Sequence, residues 1–342
     1  MLTVEKISFE AFVEEASACD VAMPIEQTKV WTDYQQTIDG RRPWGVLAVL
    51  DGDAPVAMLS LIEYRTHGYR YLRSMHGPVW TVLPNPALER SVVGSLASFV
   101  RHEDPGIVFL RLDTWSSAGA LPVLSTVPYD WTVVIDVTGG DEAILSRMKR
   151  RGRRDVRKAL RECPASVADE TGPAMSDFSE YYDVMLETGE RDGFKPAPLK
   201  DYLDMIEALG PEHCRVFAAR IDGRVVAWSI VTVNDTCAVR YYAAMRDSAM
   251  RLHVTDRLLY AECCMLGGQG VTDYDLMGIG SDFAPSLKGL NEFKTKFTEE
   301  TTPVAPARDV PVRKSMYRAL VVAKHVRNIW RSIVSSLQHR EH

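Results

Sequence analysis

Asp51-Gly52-Asp53 and Asp222-Gly223 each separate two apolar runs, and no other feature restricts the folding of this chain as much. A tight hairpin needs left-handed backbone, which Gly and Asp accept at low cost, so each turn marks a β-hairpin. The first joins residues 45–50 to 56–62, and the second joins 215–221 to 225–233. Each hairpin is followed by a strand, a helix and a buried strand. These fall at 69–75, 87–100 and 107–112 in the first half, and at 238–244, 255–264 and 274–276 in the second. Further helices are expected at 9–16, 31–38, 178–190 and 199–209. The repeated order suggests two copies of one α/β module.

Composition narrows the class. With 342 residues and 46% hydrophobic content the chain can build one or two packed cores. Its ordinary aromatic and charged fractions exclude a fibre, a disordered chain or a disulfide scaffold. The six cysteines (Cys19, Cys163, Cys214, Cys237, Cys263 and Cys264) form no Cys-x-x-Cys pair and read as reduced thiols. The eight histidines are scattered, so no metal site is expected, and no cofactor. Residues 1–12 carry Glu5, Lys6 and Glu10 and do not read as a signal peptide. No run of 18 apolar residues is present to span a membrane, and a cytoplasmic protein is expected.

The formal charge of −6 argues against bulk adhesion to nucleic acid, but residues 147–161 reverse it locally. There Arg147, Lys149, Arg150, Arg151, Arg153, Arg154, Arg157, Lys158 and Arg161 face a single acid, Asp155. So dense a run repels itself, and nucleic-acid phosphates are its natural partner; a solvated helix is the alternative. Residues 310–340 are also basic, with no acid, and place Val322, Val326, Ile329, Trp330, Ile333 and Leu337 on one helical face. Packing of that face on the first module is the favoured expectation, and a helix lying on an anionic membrane is the alternative.

A set of short motifs then runs in order along the chain. Gln27 with Trp31 fits Q-x-x-x-W, His76-Gly77-Pro78-Val79 fits x-G-P-V, and Leu110-Arg111-Leu112-Asp113 fits L-R-x-D. Residues 147–161 hold an R-x-x-I/V-R-K-A-like helix, and residues 187–194 hold T-x-E-R-x-G-F. Tyr241-Tyr242-Ala243-Ala244, residues 274–279 and residues 289–297 fit Y-x-Y-A/G, Y-D-x-x-G-I and G-L-x-x-F-K-x-x-F. This ordered set resembles the Fem (FemABX) family of tRNA-dependent aminoacyltransferases that build peptidoglycan interpeptide bridges. No long charged heptad run is present, so the resemblance is to the compact form without a helical arm.

The resemblance implies an α/β (α+β) fold of two GNAT-like domains, the second inserted into the first: residues 1–136 with 305–342, and 137–304. It also implies partners, aminoacyl-tRNA and a peptidoglycan precursor (UDP-MurNAc-pentapeptide or lipid II); peripheral contact at the inner membrane face belongs to the alternative reading of residues 310–340. Catalytic residues would be Lys294, Asp113 and Phe293. Lys294 suits an oxyanion developing on the ester carbonyl, and Phe293 and Phe297 would keep water from it. Asp113 follows a buried strand and suits proton acceptance from the attacking ammonium, or caps a helix. Arg191, Gln35, Tyr202 and Tyr242 would contact the precursor, Arg191 by a forked grip on its diphosphate or else as a surface arginine paired with Glu187 or Glu190. Gln35 stands where the family carries a lysine, and Arg41 or Arg42 would supply the missing charge. Arg150, Arg151, Arg153, Arg154, Arg157 and Lys158 would bind tRNA.

Three other readings remain open. An acyl-CoA-dependent GNAT needs a Q/R-x-x-G-x-G/A turn, and Gly267-Gly268-Gln269-Gly270 follows a helix and lacks that spacing. An RNA-binding protein without catalysis would leave Asp113 and Phe293-Lys294 without a role. A Fem-like transferase acting on a small secondary metabolite would show the same motifs.

Overall fold

The structure, a computed structural model, describes residues 2–117 and 119–338, the side chains of 328 and 330–338 excepted. The chain starts with β1 (Thr3–Ile7), α1 (Phe9–Ala18) and α2 (Lys29–Gln36). Ser8 caps α1 by accepting from Ala11 N, and Thr28 caps α2 by accepting from Trp31 N. The first Asp-Gly turn joins β2 (Arg41–Asp51) to β3 (Ala54–Thr66), with Gly52 at φ +64°. β4 (Tyr69–Arg73), β5 (Val79–Trp80), α3 (Pro86–Glu103), β6 (Ile107–Asp113) and β7 (Leu121–Pro122) follow. Asn85 caps α3 by accepting from Ala87 N and Leu88 N, with Pro86 in the first turn.

Next come β8 (Trp131–Asp136), α4 (Asp141–Arg147), α5 (Arg150–Glu162), β9 (Ser166–Asp169), α6 (Thr171–Ser176), α7 (Ser179–Asp192) and α8 (Leu199–His213). The second hairpin is β10 (Cys214–Ile221) with β11 (Arg224–Asn234), turned by Asp222 and Gly223 at φ +49° and +78°. β12 (Cys237–Met245), α9 (Val254–Gly268), β13 (Asp273–Gly278), α10 (Asn291–Lys294) and β14 (Thr302–Pro303) complete this stretch. The chain returns with β15 (Ala307–Pro311) and ends on α11 (Lys314–Gln338).

Two compact units result: residues up to Pro128 together with those from Ala305 on, and Tyr129–Val304. The first holds a sheet in the order β1-β2-β3-β4-β6-β15-β7, with β5 also on β3; the second holds β14-β8-β13-β12-β11-β10-β9. β8 pairs with β13 and β14 in the second sheet, so the boundary expected after residue 136 falls before β8 instead. A lone six-residue strand carries no local mark of the sheet it will join. Each sheet buries its own apolar cluster. Leu47, Leu59, Leu96 and Leu110 lie in the first, and Val133, Phe217, Leu258 and Phe297 in the second.

The return strand carries a buried acid. Arg111 on β6 and Asp309 on β15 are both 0% exposed and meet in a fork, Nε–Oδ1 at 2.7 Å and Nη2–Oδ2 at 3.0 Å. Leu124 N and Tyr317 Oη also donate to Asp309 Oδ2, and the guanidinium lies over the Tyr71 and Phe109 rings. Tyr317, Met316 and Leu320 seat the start of α11 against Phe109 and Val108. Beyond them the expected packing fails: Val322, Val326 and Ile329 are 61%, 59% and 48% exposed. The side chains of Trp330, Ile333 and Leu337 lie outside the described residues.

Replacing Asp309 by Ala would leave a guanidinium buried without its partner. Urea unfolding should show a loss of about 3–5 kcal/mol, and a loss under ~1 kcal/mol would remove the pair from its structural role.

Candidate active site

In the second unit β12 and β13 run parallel, paired at Cys237↔Asp273, Ala238↔Tyr274 and Val239↔Asp275. The pairing ends there. β12 stays with β11 as far as Met245↔Ala227, while β13 shifts register against β8 to reach Gly278↔Thr132. The two strands are thus held by different neighbours where Arg240 and Leu276 begin.

The end of β13 is shaped by Asp275, whose Oδ1 accepts from Met277 N at 2.6 Å and from Thr132 Oγ1. Met277 adopts φ +64°, a conformation that costs a non-glycine residue on the order of 1 kcal/mol. Lys294 meets this bend. Its Nζ donates to Gly278 O at 2.9 Å and Met277 O at 3.2 Å. Burial pushes the ammonium down to about 8; the Arg240 guanidinium adds to the fall and Asp275 opposes it. Lys294 is therefore not part of a solvated face.

Phe293 and Phe297 serve another lysine than expected. Their rings cross at 72° with centroids 5.3 Å apart, and Lys296 Nζ lies 5.2 and 5.3 Å from the two centroids. Lys296 is 8% exposed. The reason is geometric: Lys294 Nζ reaches the carbonyls at the end of β13, while Lys296 Nζ lies against the aromatic pair.

Behind Lys294 lies a group that the sequence reading missed. Glu262 on α9 is 0% exposed and accepts from Ser229 Oγ at 2.5 Å and Tyr274 Oη at 2.6 Å. Its Oε2 lies 3.2 Å from Arg240 Nε. Elements β11, β12, β13 and α9 thus share one carboxylate. A lone base in the apolar run of β12 and an acid amid the apolar residues of α9, Glu262, were the available signals.

The expected precursor ligands occupy varied settings. Arg191 donates to Asp247 Oδ1 at 2.7 Å, Met245 O at 2.8 Å and Asp192 Oδ1 at 2.9 Å. Its partners are therefore not Glu187 or Glu190; Glu187 instead binds Arg246 and Asp247 N. Tyr202 is buried between Phe178 and Tyr242, and burial raises its hydroxyl to about 12. Tyr242 is half-buried at its edge.

In the first unit Gln35 is buried, and its Oε1 accepts from Arg41 Nη1 at 2.8 Å and Tyr64 Oη at 3.1 Å. The group it presents is Arg41, whereas Arg42 pairs with Glu63. Asp113 does not cap a helix, because Trp115 N and Ser116 N donate to Glu89. Its Oδ2 accepts from His76 N at 2.9 Å, and Arg73 Nη2 lies 3.9 Å from Oδ1. Burial raises its carboxyl, with Arg73 and His76 opposing.

Helix α5 buries Gly152, Val156 and Ala159 and turns its cations outward. Arg150, Arg151, Arg153, Arg154, Arg157 and Arg161 line a groove of about 790 Å³, with Lys158 beside Glu162 on the same helix. Arg153 is partly spent on Ser146 O, and Arg154 on Asp155.

The double α/β fold has likenesses among known proteins. Residues 147–294 match the family described as Acetyltransferase (GNAT) domain. Its fold is that of FemX: the solved structure of FemX superposes over 92% of this chain and 99% of that one, at 14% identity and TM-score 0.69. The fold implied by the Fem resemblance is the fold found. L-PGS from Bacillus licheniformis is similar over 94% of this chain and 97% of that one (13% identity, TM-score 0.52). A tandem GNAT protein from the clavulanic acid biosynthesis pathway is similar over 90% and 97% (11% identity, TM-score 0.53). No curated protein matches the chain in sequence.

Since the lowered value belongs to a base, the Lys294 ammonium persists below about pH 8 and is lost as pH rises through it. Acylation of Lys294 by an amine-reactive ester, followed by peptide mass spectrometry, should rise with a midpoint near pH 8. Arg240→Met should move the midpoint upward. A midpoint near 10.4, the value of an exposed lysine, would contradict the buried setting.

Proposed function

We propose that this protein transfers an amino acid from aminoacyl-tRNA to the stem-peptide amine of a peptidoglycan precursor. The observation that carries this is the Lys294 ammonium, held at the β13 bend by two carbonyls and largely withdrawn from water. Attack of the neutral amine forms a C–N bond and places negative charge on the former carbonyl oxygen. Lys294 stabilises that oxygen, a contribution of about 3 kcal/mol for one donor in a dry site. Collapse then breaks the ester bond and releases the ribose oxygen of the tRNA. The proton leaving the amine passes on to that ribose oxygen, which balances the step; Asp113, in the first unit, is kept by its raised carboxyl as a separate candidate proton acceptor.

Phosphates of the acceptor arm are assigned to the cations of α5. Precursor contacts are assigned within each unit by itself: Arg191 and Tyr242, backed by Tyr202, in the second, and Arg41, oriented by Gln35, in the first. A diphosphate would exchange with Asp192 and Asp247 at Arg191. Phe293 acts indirectly, through the packing of Lys296. The reaction belongs on the cytoplasmic side, with the exposed valines and the cations of α11 against anionic lipid. Among the described residues no helix is long and apolar enough to cross a membrane.

Acyl-CoA is disfavoured as donor by two features. The segment entering α9, residues 246–253, has no glycine to open a pyrophosphate cradle. Gly267 lies at the other end of α9 and packs on Val137, where an added Cβ would come within 2.1 Å of Val137 O.

Incubation with charged tRNA and precursor should yield a product heavier by one aminoacyl residue; transfer only to a small metabolite, or only from acyl-CoA, would overturn the reading. In single-turnover transfer Lys294→Met should lower the rate about a hundredfold, with both substrates still binding. Wild-type rates would remove Lys294 from the chemistry. Sedimentation with vesicles containing phosphatidylglycerol should carry the protein down at low salt, and Val322→Asp with Val326→Asp should abolish this; no sedimentation of the wild type refutes the lipid contact.

A further inference from the structure

The short segment that carries Lys294 is tied to the basic helix α5 on both sides of that lysine. Two residues before it, Glu292 Oε1 lies 2.6 Å from Arg151 Nη2. Two residues after it, Lys296 Nζ lies 3.4 Å from Asp155 Oδ2, and its carbonyl accepts from Lys149 N at 3.2 Å. The backbone contact is close: a Cβ on Gly152 would come within 2.1 Å of Lys296 O, so only glycine lets α5 lie this near.

The two ties differ in kind. Lys296 is 8% exposed and is also held by Asp256 Oδ1 at 2.5 Å and by the Phe293 and Phe297 rings. Removing a partner from so buried a charge is costly, so this tie persists. The Glu292 carboxylate is 72% exposed and Arg151 is 52% exposed, so their tie is open to solvent and to competing anions. A guanidinium fork that grips a phosphate cannot at the same time grip the carboxylate in the same geometry.

We propose that Glu292 and Lys296 are positioning residues that couple phosphate binding on α5 to the placement of Lys294. An RNA phosphate taken up by Arg151 releases Glu292, while Lys296 keeps the segment docked. Lys294 then moves on its carbonyl partners about a fixed anchor. The exposed face of α5 shows one apolar residue, Leu160, among its cations, which favours a nucleic-acid backbone over a lipid surface as the occupant. Linkage requires the converse as well: the Arg151–Glu292 pair opposes RNA binding by the amount that RNA opposes the pair. The inference rests on the assignment of α5 to RNA made above.

The test uses the intact protein and an uncharged acceptor-stem RNA hairpin, with binding read by fluorescence anisotropy. Lys294 acylation is measured with and without saturating RNA, with exposed Lys29 as internal reference. RNA should change the Lys294 rate by about two- to fivefold, the range set by an exposed ion pair, and leave Lys29 unchanged. In Glu292→Gln the rate without RNA should already equal the RNA-bound value, and RNA should bind more tightly. Simple shielding of Lys294 by RNA predicts instead the same change in Glu292→Gln as in the wild type. Lys296→Met, where it folds, should bind RNA and show no coupled change. If RNA binds and Lys294 does not respond, or if Glu292→Gln behaves as wild type, the coupling is overturned while the assignment of α5 stands. If RNA does not bind at all, that assignment fails and the coupling fails with it.

Discussion

A charge withdrawn from water must keep a partner, and each unit of this chain is organised around one that does. In the first unit the fork between Arg111 and Asp309 joins residues 198 apart in sequence and pins the return strand β15 to β6. In the second, Glu262 gathers Ser229, Arg240 and Tyr274, so that three strands and α9 converge on one carboxylate. Neither cluster gains much free energy over an apolar core of the same volume. What each supplies is register, because a slip by one residue would strand a buried charge.

The register matters most where β12 and β13 part. The bend at Met277 follows from Asp275 reaching forward to its backbone amide, and the bend turns two carbonyls toward Lys294. The lysine is thus placed by backbone, which is stiff, while the charges around it set its affinity for a proton. Arg240 belongs to both systems: Glu262 holds it, and it presses on Lys294.

Much of this was legible in the sequence because the signals are local. The Asp-Gly turns act at their own residues, and the helices expected at 9–16, 87–100 and 199–209 are marked by apolar spacing within one or two turns. What depends on distant partners was not legible. β8 carries no mark of its sheet, and Gln35 gives no sign that Arg41 will borrow its oxygen. The motif around residue 294 locates the lysine, yet the pairing of Phe293 and Phe297 with Lys296 follows only once the segment has docked. The face at Val322, Val326 and Ile329 has ordinary helical spacing, and spacing alone does not say whether anything covers it.

The insertion of one unit within the other also has a consequence in time. Synthesis delivers β1 to β7 first and β15 last, after the whole of Tyr129–Val304 has emerged. The inserted unit has all its strands before the surrounding one does, and can close while the surrounding sheet still lacks a member. During that interval Arg111 has no Asp309 to meet, and β6 presents an open edge of Ile107–Asp113. A ribosome stalled between the end of the insert and the return strand would therefore hold one finished unit and one unfinished one, the second exposed to pairing with foreign strands and to chaperones.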